Sequence, residues 1–417
     1  MLDIEYIRNH PEEVKAGARK KRVDVNIDRL LEVDKQRRQH LRQRDELRQQ
    51  RNTLAHGSSG PPSQEAIEEG KQLKQQIADL DARLDQLEQE YQALMLEVPN
   101  PPHQDVPEGE DDSENLTVLE WGERPDFSFT PKDHVELGQQ RDLLDLEAAA
   151  HTSGSRFYYL KNDAARLDMA LSSWAMQKLT DKGFNPALPP QLVREHMMTA
   201  TGFFPADRNE IYHVNPDEDD LYLIGTSEVS LAGLHMNDVL DAGTLPRRYA
   251  GYSSCYRREA GSYGKDTRGI IRVHQFNKVE MFVFADPEHS WEEHEWLLAI
   301  EEELLQELGL AYRVVNICGG DLGAPAAKKY DCEAWLPSQQ RYLELTSCSN
   351  TTDFQARRGS IKYEGDDGDR DFAHTLNGTA VATTRTLVVI MEQYQTESGT
   401  IRVPDVLQPY LGKEEIT

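Results

Sequence analysis

The segment Tyr256–Phe284, YRREAGSYGKDTRGIIRVHQFNKVEMFVF, decides the fold. Two runs typical of β-strands flank a loop of Gly, Ser, Lys, Asp, Thr and Arg, so the segment predicts a β-hairpin. Side chains alternate between the two faces of a strand, and most apolar residues of the second run share one face. The opposite face carries, in order, Arg272, His274, Phe276, Lys278 and Glu280. We therefore expect one sheet face to pack on helices and the other to carry a charged binding site.

The first run and the loop add charged residues to this candidate site. Arg257 and Glu259 share a face of the first run, and the loop contains Lys265 and Arg268. Arginine binds phosphate oxygens through its planar fork, a phenylalanine can stack on a purine, and a carboxylate can hold an ammonium group. The set suits a nucleoside triphosphate beside an amino acid. The alternative is a solvated sheet face with cross-strand ion pairs.

Length and composition limit the class of protein. The chain has 417 residues, which predicts one large domain or two ordinary ones. It has no long apolar run, so we expect neither a transmembrane helix nor a signal peptide. The four cysteines lack paired spacing, which predicts a reduced, cytoplasmic chain without disulfides or a zinc site. The net charge of −27, taken alone, argues against nucleic-acid binding.

Residues 27–98 predict two long helices folded back on each other as a coiled-coil arm. The turn between them is predicted at HGSSGPPS, residues 56–63, where Gly and Pro interrupt the pattern. At 1.5 Å per residue, such an arm would be roughly 40–50 Å long and would project from a globular body. Apolar residues of the second helix recur every three or four positions and form a seam: Leu73, Ile77, Leu80, Leu84, Leu87, Tyr91 and Leu94.

The first helix of the arm is basic, although the chain as a whole is acidic. Between Lys35 and Arg51 only Asp45 and Glu46 oppose the basic residues, so we interpret this part of the helix as a nucleic-acid-binding surface. The alternative is the solvated surface of a structural coiled coil. The basic residues of this stretch are Lys35, Arg37, Arg38, Arg42, Arg44, Arg48 and Arg51.

The rest of the chain predicts an α+β domain with a mainly antiparallel sheet. Residues 98–115 are rich in Pro and acidic residues and predict a linker, and the globular part starts at about Leu116. Short β-type runs separated by turns dominate the middle of the chain, and amphipathic helices lie before, between and after them. One such helix is predicted to end at Gly183.

The last long helix is predicted over about Thr379–Tyr394. Its sequence is apolar on most sides, which is typical of a buried helix, yet it contains Arg385. A buried arginine needs a partner, and either a phosphate or a nearby carboxylate would suffice. Asn377 and Thr379 would lie at the start of this helix, where backbone N–H groups can bind a small polar ligand.

Two further polar clusters are candidates for the same site. Thr226, Ser227 and Glu228 are predicted at the end of a strand. Glu344 and Ser347 are predicted on or just after another strand. A carboxylate and a hydroxyl near a triphosphate can bind Mg²⁺, which prefers oxygen ligands.

Together these segments resemble class II aminoacyl-tRNA synthetases, and within that class the seryl-tRNA synthetases. The hairpin sequence resembles the second class-defining motif, LNGTAVATTRTLVVIMEQYQ resembles the third, and GFNPALPPQLV, with Pro190, resembles the first. The triplet TSE and the segments PKDHVELG and SCSNTTDFQARR are similar to features of the seryl branch. The N-terminal helical hairpin resembles that branch's tRNA-binding arm. The resemblance covers nearly the whole chain.

The resemblance implies a fold, a division into domains and an activity. Residues 1–103 would form the tRNA-binding domain with its arm, and residues 104–417 a class II catalytic domain with an antiparallel sheet. The expected reaction is ATP- and Mg²⁺-dependent attachment of L-serine to tRNA-Ser through a seryl-adenylate, with serylation of selenocysteine tRNA left open. A cytoplasmic homodimer without membrane association is also implied, with Pro190 at the dimer interface.

The resemblance also implies roles for individual residues. Phe276 would stack on adenine, Arg385 would cover its other side, and Arg257 would contact the α-phosphate and the serine carboxylate. The residues expected to take part in catalysis are Arg257, Arg385 and Glu344. The expected Mg²⁺ ligands are Glu344 and Ser347. Serine would contact Thr226, Ser227, Glu228, Arg257, Glu280, Asn377 and Thr379. ATP would contact Arg257, Arg258, Glu259, Arg268, Arg272, Val273, Phe276, Glu344, Leu345, Thr346, Ser347 and Arg385.

Three other functions are compatible with parts of the sequence. An amino-acid ligase acting on a carrier protein would keep the adenylation core, but the basic arm argues against it. A catalytically inactive relative is disfavoured by the presence of Arg257 and Arg385. Another class II synthetase is disfavoured by the arm and by the TSE triplet.

Overall fold

The computed structural model describes residues 1–56, 63–261, 268–365 and 367–417. These residues form two compact units, one made of residues 1–19 and 23–99, the other of residues 20–22 and 100–417. Two sequence predictions lie outside the described residues: most of the turn of the arm, at residues 57–62, and Lys265 of the hairpin loop.

The helices fall into a group before residue 98 and a group spread through the larger unit. The first group is α1 (Ile4–Asn9), α2 (Pro11–Lys20), α3 (Ile27–His56) and α4 (Gln64–Glu97). The second group is α5 (His134–Gln140), α6 (Leu146–Ser153), α7 (Asn162–Asp181), α8 (Glu195–Thr201), α9 (Glu228–Ala232), α10 (Ser290–Glu307), α11 (Phe354–Gly359), α12 (Thr383–Gln393) and α13 (Gln408–Leu411). Within the described ranges, no helix is long and apolar enough to cross a membrane.

The main sheet of the larger unit has, among the described residues, the strand order β1-β11-β12-β13-β16-β10-β9-β4. Neighbours in this sheet are antiparallel except β4 and β9. Its strands are β1 (Leu116–Trp121), β4 (Asn185–Ala187), β9 (Arg247–Tyr256), β10 (Gln275–Ala285), β11 (Tyr312–Asn316), β12 (Lys328–Leu336), β13 (Arg341–Asn350) and β16 (His374–Ala382). The predicted α+β fold with a mainly antiparallel sheet is therefore confirmed.

The remaining strands are short and form small peripheral sheets. They pair as β2 with β3, β7 with β5 and β6, β14 with β8 and β15, and β17 with β18. Their bounds are β2 (Leu144–Asp145), β3 (Tyr159–Leu160), β5 (Leu192–Val193), β6 (His213–Val214), β7 (Leu221–Leu223), β8 (Val239–Asp241), β14 (Lys362–Glu364), β15 (Arg370–Phe372), β17 (Ile401–Arg402) and β18 (Glu415–Ile416).

One face of the main sheet packs on helices α7, α10 and α12, as the apolar alternation predicted. The largest apolar core contains Leu167, Leu171 and Trp174 of α7 together with Val279 and Met281 of β10. Helix α7 ends before Gly183, whose φ of 88° is the left-handed conformation that glycine adopts at low cost. Because these helices cover one face, the charged side chains of the same strands lie on the other.

In the smaller unit, α3 and α4 form the antiparallel pair that the sequence predicts. Arg29 near the start of α3 contacts Glu90 near the end of α4, at 2.7 Å. The predicted seam on α4 is confirmed, since Leu73, Ile77, Leu80, Leu84 and Tyr91 are buried, while Leu87 and Leu94 are half-buried. Ser63 caps α4, because its side chain accepts a hydrogen bond from the backbone N–H of Ala66.

The strands of the hairpin are shorter than predicted. The pairing of β9 with β10 ends at Tyr256 and Gln275. Arg257, Glu259, Arg272 and His274 therefore lie just outside the strands, and the prediction that they are strand residues is wrong. The ladder stops because the N–H of His274 donates to the carbonyl of Arg156, at 3.0 Å, instead of to a strand neighbour.

The last long helix starts later than predicted. Asn377 and Thr379 lie in the middle of β16, and α12 begins only at Thr383. The prediction of a ligand site at a helix start is therefore wrong for these two residues. Strand pairing overrides the apolar pattern here, because β16 forms ladders with β10 on one side and β13 on the other. A side chain larger than that of Gly378 would be crowded in this strand, since a Cβ would meet Oε1 of Glu301 at 3.0 Å.

The segment predicted as a linker, residues 98–115, has little regular structure but is partly packed. The side chain of Asn100 donates to the carbonyl of Thr351, at 2.7 Å, and Val106 is buried. A buried lysine anchors a neighbouring loop: Nζ of Lys21 donates to the carbonyls of Gly323, Ala324 and Ala326. Since Ala326 lines the cleft described below, Lys21 holds part of its wall in place.

Candidate active site

A cleft of about 320 Å³ lies on the open face of the main sheet. Its walls come from strands β10, β12, β13 and β16, from the start of α12, and from the segments that flank β9 and β10. Most of the residues predicted from the sequence line it: Thr226, Glu228, Arg257, Glu259, Arg272, Val273, Phe276, Glu280, Glu344, Leu345, Ser347, Asn377, Thr379 and Arg385.

The structure places four of the predicted site residues outside the described lining of the cleft. Ser227 is buried and donates to the carbonyl of Gly251, at 3.4 Å. Arg258 is exposed. Arg268 forms an ion pair with Asp133, at 2.7 Å. The hydroxyl of Thr346 donates to Glu301 on the helix-covered side of the sheet, at 2.7 Å. Direct side-chain contact with a ligand in the cleft is therefore not supported for these four residues.

A β-bulge in β13 explains why Glu344 and Ser347 both face the cleft. Residues three positions apart normally point to opposite faces of a strand. Here Cys332 pairs with Thr346 whereas Glu333 pairs with Glu344, so Leu345 is the extra residue of the bulge. The bulge turns Glu344 and Ser347 to the same side and turns Thr346 away.

At one part of the cleft, two carboxylates are held within a network of polar side chains. Oε1 of Glu228 accepts from Gln355, at 2.7 Å, and from Asn377, at 3.1 Å. Oε2 of Glu280 lies 2.5 Å from Nζ of Lys278 and 3.4 Å from the hydroxyl of Thr379. These groups form a small acidic pocket with hydroxyl and amide neighbours, which can accept an ammonium group and a hydroxyl.

Burial gives the two carboxylates raised pKa values. Burial first, and then the charge of Glu280, raise the pKa of Glu228 to about 7. The pKa of Glu280 is also raised by burial, although the neighbouring cation of Lys278 opposes the shift. A cationic ligand between them would favour the ionised forms of both.

The middle of the cleft pairs an arginine with an aromatic ring. The guanidinium of Arg257 lies 5.2 Å from the centre of the Phe276 ring, and its Nε donates to the carbonyl of Gly225, at 3.3 Å. Nearby, Arg272 forms an ion pair with Glu259, at 2.7 Å. The guanidinium of Arg257 is thus held beside the Phe276 ring, whose face is large enough to stack on a nucleotide base.

A further cation and the carboxylate of the bulge lie together in the cleft. Nη1 of Arg385 is 3.2 Å from Oε2 of Glu344 and also donates to the Glu344 carbonyl, at 3.0 Å. The carboxylate that the sequence offered as an alternative partner of Arg385 is thus present. Although burial opposes ionisation, the charges of Arg385, Lys329 and Arg257 lower the pKa of Glu344 to about 2.

Glu344 and Ser347 fit Mg²⁺ by the chemistry of their donor atoms. Both supply oxygen ligands from one face of β13, and Mg²⁺ is commonly held by one or two carboxylates together with water and phosphate oxygens. Among the described residues, no group of three or more His, Cys, Asp and Glu side chains forms a metal site by itself. An ion at this place would need further oxygen ligands, from water or from a bound phosphate.

Several cleft residues were not assigned to the site from the sequence. For Lys278 the sequence predicted the correct face of the strand, between Phe276 and Glu280, but no role in the site. The other residues lie on loops and neighbouring strands, and no local sequence pattern indicates that these segments are close to the cleft. They are Thr201, Gly202, Phe203, Asp207, Ile271, Leu322, Pro325, Ala326, Lys329, Ser349, Thr351, Ala382 and Thr384.

The basic residues of α3 divide into two groups instead of forming one surface. Arg37 contacts Glu88 on α4, and Arg44 and Arg48 contact Asp81, at 3.8 and 3.4 Å. Arg38 pairs with Asp34 on its own helix, at 3.1 Å. Lys35, Arg42 and Arg51 are exposed and, within the described residues, have no acidic partner at ion-pair distance. These three are the cations best placed to meet phosphates.

Comparison with known protein families gives two matches to the chain. Residues 1–102 match the family described as the seryl-tRNA synthetase N-terminal domain. Residues 212–394 match the tRNA synthetase class II core domain of the glycyl, histidyl, prolyl, seryl and threonyl enzymes. The two matches agree with the helical first unit and with the antiparallel sheet that carries the cleft.

Individual relatives match over the full length. The serine–tRNA ligase of Thermobifida fusca is 47% identical over 99% of this chain and 98% of its own. The crystal structure of seryl-tRNA synthetase from Pyrococcus horikoshii, complexed with ATP, has a TM-score of 0.93 and 41% identity, and covers 100% of this chain and 99% of that one. A cytoplasmic serine–tRNA ligase structure from Naegleria fowleri, in complex with AMP, has a TM-score of 0.88 and 34% identity, with 100% and 99% coverage. With this identity and coverage, together with the geometry of the cleft, the chain belongs to the seryl-tRNA synthetases, a family of class II aminoacyl-tRNA synthetases.

Proposed function

We propose that the protein uses ATP to attach L-serine to tRNA-Ser through a seryl-adenylate. The observation that carries the proposal is a cleft in which arginines for phosphate groups lie beside a small pocket with two carboxylates. An amino acid needs the carboxylates for its ammonium group, and a nucleoside triphosphate needs the cations. The full-length similarity to serine–tRNA ligases identifies serine as the amino acid.

The proposed first step forms the adenylate. A carboxylate oxygen of serine attacks the α-phosphorus of ATP, a new O–P bond forms, and the bond to the β-phosphate oxygen breaks to release pyrophosphate. Arg257 stabilises negative charge on the α-phosphate, and Arg385 contacts the γ-phosphate of a bent triphosphate. Glu259 and the backbone of Val273 hold the adenine, with the ring of Phe276 against its face. Rate enhancement comes from positioning and from charge stabilisation, so no side-chain nucleophile is needed.

The proposed second step transfers serine to tRNA. The terminal ribose hydroxyl attacks the carbonyl carbon of the adenylate and loses its proton to water, and the bond from that carbon to the phosphate oxygen breaks to release AMP. Glu228 and Glu280 hold the ammonium group and the side chain of serine in both steps, with Asn377 and Thr379 as polar neighbours. Alanine would leave the partners of the hydroxyl unpaired, and threonine would add a methyl group to a small pocket.

We propose that Glu344 and Ser347 hold Mg²⁺ together with phosphate oxygens of ATP. When bound, the ion would neutralise phosphate charge and help to orient the triphosphate. The ion pair between Glu344 and Arg385 keeps the carboxylate ionised before ATP arrives. The loss of that pair on binding would be compensated if both side chains acquire new partners on the triphosphate.

We propose that residues 1–103 bind tRNA and that residues 104–417 catalyse both steps. The exposed cations of α3 support phosphate contacts on the arm.

We also propose a homodimer with Pro190 at the interface, because the nearby Leu188 is 80% exposed and Leu192 is 42% exposed. The reaction requires tRNA and ATP, so we place the protein in the cytoplasm.

The test of the proposed function is pyrophosphate exchange into ATP, measured with each of the twenty amino acids separately. Serine should support exchange at a rate at least about a hundred-fold above that of alanine or threonine. Exchange that depends on a different amino acid, or none with any amino acid in a folded protein, would contradict the proposal.

A further inference from the structure

Lys278 lies in the amino-acid part of the cleft and has no role in the function proposed above. It is 5% exposed and lies on β10, two residues before Glu280. Its Nζ is 2.7 Å from Oγ1 of Thr226 and 2.5 Å from Oε2 of Glu280. A buried ammonium group is costly unless it is paired, and these contacts supply its partners.

The contacts of Lys278 determine what the hydroxyl of Thr226 can do. A lysine ammonium group can only donate hydrogen bonds, so Oγ1 of Thr226 must accept from it. The backbone N–H of Glu228 also donates to Oγ1, at 3.3 Å. A hydroxyl oxygen has two lone pairs, and both are engaged by these two donors. Thr226 can therefore contact a ligand only as a hydrogen-bond donor, through its O–H group.

From this geometry we infer that Lys278 is a positioning residue that makes Thr226 a hydrogen-bond donor to an oxygen atom of the bound amino acid. The inference rests on the proposed function and refines it. An ammonium group has no acceptor, so Thr226 cannot bind it and instead meets the carboxylate or the hydroxyl of serine. This is more specific than the expectation, drawn from the family resemblance, that Thr226 contacts serine.

Lys278 also fixes the orientation of Glu280. Both Lys278 and Thr379 contact the same carboxylate oxygen, Oε2. A carboxylate held at one oxygen presents the other in a defined direction. The ammonium group of serine is thus received by Glu228 and Glu280, whereas one of its oxygen atoms is received by Thr226. One lysine sets opposite hydrogen-bonding roles for two neighbours in the pocket.

The first test compares Lys278→Met with Lys278→Arg in serine-dependent pyrophosphate exchange. The methionine variant should raise the KM for serine by about ten- to a hundred-fold, because charged hydrogen bonds are removed, and should leave the KM for ATP within about two-fold. The arginine variant keeps the charge and should recover part of the loss. Lys328→Met is a matched control, since Lys328 is 7% exposed on β12 and is not among the residues described as lining the cleft.

The second test uses Thr226→Val with two competitive inhibitors of serine, L-alanine and ethanolamine. Alanine keeps the carboxylate and lacks the hydroxyl, whereas ethanolamine keeps the hydroxyl and lacks the carboxylate. Both keep the ammonium group. A donor to an oxygen atom predicts that the inhibition constant of only one of them rises, by about ten-fold. If inhibition by alanine becomes weaker, the partner of Thr226 is the carboxylate of serine. If inhibition by ethanolamine becomes weaker, the partner is the hydroxyl.

Three results would overturn the inference. One is an equal change, or no change, for the two inhibitors with Thr226→Val. Another is an unchanged KM for serine in Lys278→Met. The third is a rise in the KM for ATP as large as that for serine. If the unmodified protein shows no serine-dependent exchange at all, the proposed function fails, and the inference fails with it. Circular dichroism and thermal unfolding establish that each variant is folded.

Discussion

Nη1 of Arg385 lies 3.2 Å from Oε2 of Glu344, although one residue is on helix α12 and the other on strand β13. The same guanidinium also donates to the carbonyl of Ile271, at 3.2 Å, so it is held by β13 and by the segment that precedes β10. The arginine proposed to contact phosphate and the carboxylate proposed to hold Mg²⁺ are therefore partners before any ligand binds. Removal of one changes the environment of the other.

We predict that Glu344→Gln raises the Mg²⁺ concentration needed for half-maximal pyrophosphate exchange by at least about ten-fold. The amide is a weaker ligand for Mg²⁺ and cannot neutralise Arg385. Titration of Mg²⁺ at saturating ATP and serine measures the effect. Glu333→Gln, on neighbouring strand β12, is the control, because Glu333 pairs with Arg313 at 2.6 Å and should leave the Mg²⁺ dependence unchanged. An unchanged Mg²⁺ requirement in Glu344→Gln would remove this residue from the metal site.

We predict that Arg257→Ala lowers the rate of pyrophosphate exchange by about a hundred- to a thousand-fold, because a positioned charge at the reacting phosphate is removed. Its effect on tRNA binding, measured by filter retention, should be small. Arg247→Ala changes an arginine at the other end of β9, where it donates to Thr244, and should retain exchange. Exchange near the normal rate in Arg257→Ala would contradict the assignment.

We predict that serine binding weakens as the pH falls through about 7. Burial and the charge of Glu280 raise the pKa of Glu228 to about 7, so this carboxylate is increasingly protonated below that pH and loses its attraction for an ammonium group. The KM for serine in exchange should rise by about ten-fold between pH 8 and pH 6, because only about one tenth of the carboxylates remain ionised one pH unit below the pKa. The KM for ATP should change less over the same range.

The same shift fixes the sign of a stability effect. The pKa of Glu228 is about 7 in the folded chain against 4.5 for an ordinary glutamate, so the folded state binds the proton more tightly. This contribution to the free energy of unfolding is fully present below pH 4.5 and is lost as the pH rises through about 7. Glu228→Gln should remove both the stability slope and the change in serine KM in this window. If the variant keeps both slopes, another group titrates there.

We predict that replacing Lys35, Arg42 and Arg51 together by Gln weakens tRNA binding and reduces its salt dependence. The slope of log K against log salt should fall by about one for each phosphate that these side chains no longer bind. Replacing Arg37, Arg44 and Arg48 by Gln is the matched comparison, since these residues pair with acidic residues of α4. That variant should lower the unfolding temperature of the arm more than it changes the salt slope.

Serine-dependent pyrophosphate exchange should remain normal in both arm variants, because adenylate formation does not require tRNA. Equal salt slopes for the unmodified protein and the Lys35, Arg42 and Arg51 variant would mean that these cations do not contact tRNA. Loss of exchange in a folded arm variant would contradict the assignment of catalysis to residues 104–417.

Local periodicity accounts for the parts of the fold and the site that could be predicted. The seam of α4 and the cleft-facing side chains Phe276, Lys278 and Glu280 follow from helical and strand periods alone. The pairing of Arg37, Arg44 and Arg48 with α4 could not be predicted, because it depends on how two helices align.

The remaining differences arise from pairing between segments that are distant in sequence. The bulge at Leu345 exists only because β13 pairs with β12, and it alone brings Glu344 and Ser347 to one face. Thr379 is a strand residue because β16 lies between β10 and β13. Pairing with both strands outweighs the apolar sequence pattern that predicted a helix from this residue onward. The similarity to a known family supplied residue roles that neither period nor composition contains.

The most direct test of the central claim is aminoacylation of total tRNA, with ATP and Mg²⁺, using each of the twenty amino acids in separate reactions. The account predicts that serine alone becomes attached, and that sequencing of the charged fraction finds serine tRNAs. Attachment of a different amino acid, or activation of serine without any transfer to tRNA by the intact protein, would contradict it.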